Sequence, residues 1–268
     1  MKPPRSHGGR VAPLARPLPL GLTLSTVLAA LAGCTGTDVG NPMTSRVEGA
    51  AIVEAPAPPN GLALPTVEVD EAWVAVTDIG LGVAPACVGG PKVALPTAFE
   101  LVSGAELPQA PTLEHDAQDV VCGITVRLGR LDGPLPQGAP EDLRTYSLVV
   151  LGRRLDGVPL ELRAALHDTV KLVPAPSEGE GFLLEAPSTI LAFAVDRWFA
   201  GLDLAGAPLT DGVLRIDRKH NPALLAGFRK AFRASARLLR DPDGRGAPNP
   251  ASVAAPLAVS ESGEHRAH

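Results

Sequence analysis

The sequence predicts a mainly β chain: an antiparallel β-sandwich of the immunoglobulin or transthyretin-like kind, with one C-terminal amphipathic helix. Three observations carry that expectation. Apolar–polar alternation of period two recurs in short runs between residues 66 and 195, the pattern of half-buried strands. Glycine and proline stand at 28 each, which leaves little room for long helices and favours short strands joined by turns. Hydrophobic residues make up 45% of the chain but aromatic ones only 3%, so the core must be built from Val, Leu, Ile and Ala.

Lys2, Arg5, Arg10 and Arg16 form a positive leader without an acidic residue, and residues 18–32 form an apolar run after it. At roughly fifteen residues, that run has the length of a signal-peptide core and is short for a membrane span. It ends in Leu31-Ala32-Gly33-Cys34, which resembles the lipobox of bacterial lipoproteins. Small side chains at Ala32 and Gly33 let a peptidase approach the backbone, and only a thiol forms the thioether to diacylglycerol. The expectation is a signal peptide over residues 1–33, cleavage before Cys34, and membrane attachment through lipid on that cysteine. One acyl chain binds a membrane reversibly, whereas two or three hold firmly. Thr35 stands next to the cysteine. Lipoproteins kept in the inner membrane carry Asp there, so the resemblance implies the cell envelope, with the outer membrane favoured over the inner.

Residues 34–64 read as the lipidated cysteine and a flexible tether, broken by Gly36, Gly40, Pro56, Pro58 and Pro59. Residues 47–53 still offer one strand. The folded domain is expected over residues 65–240. Trp73, Ala75, Thr77, Ile79, Leu81 and Val83 alternate toward a core, with Val74, Val76 and Asp78 on the other side. Val93 with Leu95, and Phe99 with Leu101, suggest two short strands. Cys122, Ile124, Val126 and Leu128 alternate against Thr125, Arg127 and Gly129. Residues 146–155 and 158–166 flank Asp156-Gly157, a pair favoured in two-residue hairpin turns where both central positions take positive φ. Val170 with Leu172, residues 182–185 and residues 189–195 complete about eight or nine strands, the number of a sandwich or small barrel.

Asn221-Pro222 reads as an N-cap followed by proline at the first helical position. Leu224, Leu225, Phe228, Phe232, Ser235, Leu238 and Leu239 then recur at helical spacing, ending near Asp241-Pro242. Arg229, Lys230, Arg233, Arg237 and Arg240 fill the other face. Residues 241–268 are polar and proline-broken and are expected to be disordered.

Several stretches together resemble successive motifs of a bacterial surface-lipoprotein family: VDEAWVAVTDIGL (69–81), FELVSGAELP (99–108), CGITVRLG (122–129), VVLGRRLDGVPLEL (149–162) and STILAFAVDRWF (188–199). The shared domain of that family is a β-sandwich of unknown function. By analogy the resemblance implies carbohydrate binding, and it transfers no catalytic residue.

Candidate chemistry is sparse. With Cys34 lipidated, Cys87 and Cys122 are an even pair in an oxidising compartment, which predicts a disulfide with Cys122 on the apolar face of its strand. A lone pair of cysteines lacks the further ligands of a zinc site. Asp241-Pro242-Asp243-Gly244-Arg245-Gly246 approaches a calcium loop, but Arg245 and Ser252 stand where ligands belong, so an ordinary polar turn fits better. Glu114-His115-Asp116 and His167-Asp168 place histidine beside acids without any metalloprotease, nucleophile-elbow or phosphate-loop motif. They read as solvated pairs. Asp196 reads as a cap or an arginine partner. Trp73, Trp198 and Phe199 would make a sugar-stacking platform if exposed, though core positions are expected. The basic helix face could meet anionic lipid; docking of the apolar face with the arginines in water is the simpler reading.

Removing residues 1–33 shifts the net charge from -5 to about -9, which argues against nucleic acid as a partner. The expected function is a non-enzymatic, membrane-anchored binding or structural protein without cofactor or metal, its partner a glycan or an envelope protein. The alternative is an envelope hydrolase built from scattered acids such as Asp70, Glu71 and Asp196.

Overall fold

The structure, a computed structural model, describes residues 42–54, 66–88, 90, 92–103, 110–185 and 187–261. Leu31, Ala32, Gly33 and Cys34, with the whole leader, lie outside the described residues. The first half of the described chain is β1 (Pro42–Ile52), β2 (Val67–Val83), β3 (Lys92–Glu100), β4 (Thr112–Asp116), β5 (Val120–Leu128), β6 (Leu148–Arg154) and β7 (Pro159–Ala164). The second half is β8 (Thr169–Pro174), β9 (Phe182–Leu183), β10 (Ser188–Ala194), β11 (Leu214–Ile216), α1 (Pro222–Ala234), β12 (Ala236–Asp241), α2 (Pro250–Ala254) and β13 (Ala258–Ser260).

These strands form a curled, mixed sheet in the order β11-β7-β6-β2-β5-β8-β13-β12-β10-β1-β4, with β3 on β2 and β9 on β5. The mainly β expectation holds, but the antiparallel sandwich does not describe it. β1 runs parallel to β10, from Arg46 opposite Ser188 to Ile52 opposite Ala194, and β11 runs parallel to β7. Alternation reports which face of a strand is buried and nothing about the direction of its neighbour, so the parallel pairs leave no local trace.

β2 sets the curvature. One of its edges is shared in succession by β6 and β5, while β3 takes the other. Bulges interrupt its ladders between Val69 and Glu71 and between Val76 and Asp78. A bulge adds a residue and reverses the facing of the residues beyond it. Val67, Val69, Ala72, Val74, Val76, Ile79 and Leu81 therefore all reach the main core, although no single alternation contains them. Trp73 and Ala75 turn outward into a satellite cluster with Ala98, Leu131, Leu143 and Val149. The expected facing is right from Ile79 onward and inverted before the bulge.

The segment expected as tether contains β1, which lies between β10 and β4 and is half core: Val47 joins the main cluster while Ala50 and Ile52 join a second one. Residues 93–101 supply one strand, β3, with Leu101 just beyond it, instead of two. The hairpin of β6 and β7 stands as expected, but its turn is different. Gly157 alone has positive φ, at 86°; its N–H donates to Arg154 O at 2.9 Å, and Arg154 N–H donates to Val158 O at 2.8 Å. This is a three-residue loop ending in a left-handed glycine, and Asp156 instead pairs with Arg154.

The helix is shorter than its apolar pattern. α1 ends at Ala234, and Ala236–Asp241 is a strand. Ser235 makes the break: its hydroxyl donates to Phe232 O at 2.7 Å and accepts the Trp198 indole N–H at 2.9 Å, a local bond that competes with another helical turn. Leu238 and Leu239 then enter opposite clusters, as adjacent strand residues do. At the other end Asn221 has φ 54° and does not cap; its amide donates to Pro208 O and Arg215 O. Phe193, Trp198, Phe199, Phe228 and Phe232 pack ring to ring beneath α1. The segment expected as a disordered tail carries two further elements. Asn249 caps α2 by accepting from Ser252 N–H at 2.8 Å, and β13 bridges β12 and β8.

Candidate functional site

The chain ends of several strands meet at one end of the sheet. Pro42 pairs with Asp116, and a tight turn closed by Asp119 N–H to Asp116 O leads into β5 at Val120. Val120 pairs with Leu183 of β9, and its carbonyl accepts the N–H of Ala84 just past β2.

The disulfide stands here. Cys87 and Cys122 are bonded with their Cα atoms 5.6 Å apart, inside the range such a bridge requires. Cys87 sits in the exposed turn after β2, at φ 54°, with its N–H on Val83 O. Cys122 is half-buried and not on the apolar face. Gly82 pairs with Gly123 and Val83 with Val121, so Cys122 is the extra residue of a bulge, which aims its sulfur at the turn. A Cβ on Gly82 would lie 2.9 Å from the Cys87 carbonyl oxygen. Glycine is what lets the turn close down on the ladder.

At the end of β9 opens a cleft of about 240 Å³, walled by Leu183, Leu184, Pro187 and Leu257, with Glu185 and Arg240 at its polar rim. The Arg240 guanidinium is held by both oxygens of Glu178, at 2.9 and 3.0 Å. Its volume lies a little below the roughly 300 Å³ at which small-molecule clefts begin. Residues from three distant stretches line it, and no local motif marks it.

The other sequence candidates serve the fold. Ser45 Oγ lies 3.0 Å from His115 Nε2, and His115 Nδ1 lies 3.1 Å from the Asp116 carbonyl. Both residues are buried, Ser45 completely, and the imidazole faces a carbonyl where a catalytic triad would hold a carboxylate. Asp168 is gripped by Arg229 at 3.0 Å and Arg233 at 2.6 Å, which pins α1 to the loop before β8. Burial alone would raise its pKa, but the two guanidinium hydrogen bonds outweigh that and hold the carboxyl below the usual carboxylate range. His167 is exposed beside it.

The calcium-like segment is a turn. The Asp241 carboxylate is fully buried and accepts from the Ser188 hydroxyl, from Gly246 N–H at 2.9 Å and from Arg245 N–H at 3.2 Å. Burial pushes its pKa up, and these donors bring it down below the ordinary value. Among the described residues, no group of three His, Cys, Asp or Glu side chains is placed to hold a metal ion.

Asp70, Glu71 and Asp196 do not converge. Asp70 is 3.7 Å from Arg153, Glu71 accepts the Trp73 indole N–H at 2.6 Å, and Asp196 accepts the Glu54 N–H. Trp73, Trp198 and Phe199 are all buried, which removes the sugar-stacking platform. The expected basic helix face is divided between two elements and largely paired: Arg237 meets Glu54 at 2.8 Å and Arg240 meets Glu178. Sequence reasoning missed Asp217, whose carboxylate takes the N–H groups of Lys219 and His220 and the His220 ring, organising the turn before α1. No helix among the described residues is long and apolar enough to cross a membrane.

No family model, no curated protein and no solved structure matches this chain.

Proposed function

We propose that the chain is an envelope lipoprotein, anchored through lipid on Cys34 and most readily placed at the outer membrane, whose β body has a non-enzymatic binding or structural role. The observation that carries this reading is the positive leader and apolar run ending in Leu31-Ala32-Gly33-Cys34. The disulfide supports it, because such bonds persist in oxidising compartments outside the cytosol. The partners of the acids and histidines support the non-enzymatic half: arginines, backbone groups, the hydroxyls of Ser45 and Ser188, the Trp73 indole and each other. Kinship with the surface-lipoprotein family is part of the proposal and rests on the quoted motifs.

Of the two partner classes, an envelope protein suits the cleft better than a glycan. Its walls are mainly leucine and proline, and the aromatic rings that would stack on a sugar are in the core.

Metabolic labelling with a fatty-acid analogue tests the anchor. The wild-type chain should incorporate label and Cys34→Ser should not, because serine cannot form the thioether. Undiminished incorporation in the variant would remove the reading. A glycan array run beside a crosslinking pulldown then separates the two partner classes.

A further inference from the structure

We infer that the end of the sheet formed by Pro42, Val88, Val120 and Leu183 rests on the lipid bilayer, its exposed apolar side chains entering the headgroup layer. The inference rests on lipid attachment at Cys34 and adds to it which face of the body the membrane meets.

Two independent observations converge on this end. The first is chain length. With β1 beginning at Pro42, seven residues separate it from Cys34, and an extended backbone of that separation reaches at most about 28 Å. A tether running through residue 64 would instead let the body tumble freely. The second is exposure: Val88, Val120 and Leu183 are 71, 40 and 37% exposed, among the few large apolar side chains left in water among the described residues. A continuous set of contacts joins them to the tethered strand. Pro42 pairs with Asp116, the Asp116–Asp119 turn delivers Val120, Val120 pairs with Leu183, and the Cys87–Cys122 bond holds the turn that ends in Val88.

Charge at this end is mainly acidic, with Asp119 and the exposed Glu180 beside Val120. Arg240 is paired with Glu178, and Asp116 and Glu185 stand nearby. Attraction is therefore apolar insertion and not adhesion to anionic lipid, and added salt should not weaken it. Leu155 supplies an internal control. It is 61% exposed but lies beside Thr66 at the start of β2, the opposite end of that strand from Val83.

The test uses the full, lipidated chain reconstituted in phosphatidylethanolamine vesicles containing a minor share of phosphatidylglycerol. Leu183→Cys, Val120→Cys and Leu155→Cys each add one free thiol, which is labelled with an environment-sensitive fluorophore. Labels at 183 and 120 should shift to the blue and be quenched by brominated phospholipid, at low and high salt alike, while the label at 155 keeps its aqueous emission. Fatty-acid incorporation is measured on the same samples. Lipidated protein whose labels at 183 and 120 stay aqueous, or in which 155 is quenched equally, overturns this inference and leaves the anchor standing. Absence of lipid overturns both.

Discussion

Gly49 of β1 lies directly beneath the side chain of Phe99 of β3: a Cβ built on the glycine would sit 2.3 Å from the phenylalanine Cβ. The two strands share no ladder, yet this approach brings them together. Leu101 completes the closure, donating to Ala72 O and accepting from Ala51 N–H, each at 2.8 Å. Gly49→Ala should therefore force the backbones of β1 and β3 apart, since no rotamer moves the Phe99 Cβ, and cost roughly 1–3 kcal/mol, with Gly49→Val costing more. Urea unfolding measures it; an unchanged midpoint for the alanine variant would show that β1 and β3 are not in contact.

The Cys87–Cys122 bond closes a loop with a sequence separation of 35. In the chain-entropy model that restriction of the unfolded chain is worth about 4 kcal/mol. Neither thiol should react without reductant. Reduction should lower the unfolding free energy by a few kcal/mol while the far-ultraviolet spectrum stays that of a β protein, because both sulfurs lie at the rim of the sheet. Titratable thiol in the unreduced, folded chain at these two positions would contradict the pairing.

Local pattern encodes some of these features and not others. The β6–β7 hairpin, the β5 and β8 strands and the start of α1 are written in alternation, Asp-Gly and Asn-Pro. The cysteine pair is legible by count. The bulges of β2 are not, because Val76-Thr77-Asp78 looks like continued alternation until its partners are known. Arg237, Leu238 and Leu239 fit helical spacing because adjacent buried residues serve either a helix stripe or a strand buried on both faces, as β12 is. Polar, proline-broken composition hides the elements after β12: Asn249-Pro250 carries the same signal as Asn221-Pro222 and marks the better cap of the two. The cleft has no signal, since Leu184, Arg240 and Leu257 meet only through sheet order.

Acid should weaken the fold through Asp168. Its pKa in the native state lies below the value of about 3.9 it takes when unfolded. The stabilisation is thus complete above that unfolded value and is lost as pH falls through the lower native one. Both arginines are partly exposed, so the pair of bridges contributes about 1 kcal/mol. Asp168→Asn should be less stable than wild type at pH 7 and nearly equal to it at the acid end. Parallel loss at both pH values would mean that packing, and not charge, is what Asp168 supplies.

The last prediction concerns Glu54, two residues past β1, which faces Arg237 at 2.8 Å and also pairs with Arg197. Arg237 is almost wholly buried; its guanidinium also donates to Ala234 O and Ala236 O. Burial lowers its pKa, and the Glu54 carboxylate opposes that while Arg197 adds to it. Glu54→Gln keeps the shape but leaves two guanidinium groups, one of them in the interior, with only the weaker influence of the Asp196 carboxylate to offset them. Removing one partner of a buried pair costs about 3–5 kcal/mol, and the partly open Glu54 places this variant near the lower limit. Arg237→Met should cost less than Glu54→Gln, because Glu54 keeps Arg197. The double variant should then fall short of the sum of the singles by at least about 0.5 kcal/mol, the mark of coupled neighbours. Denaturant unfolding of the four chains measures the coupling, and strict additivity would show that the residues after β1 are held by something other than this pair.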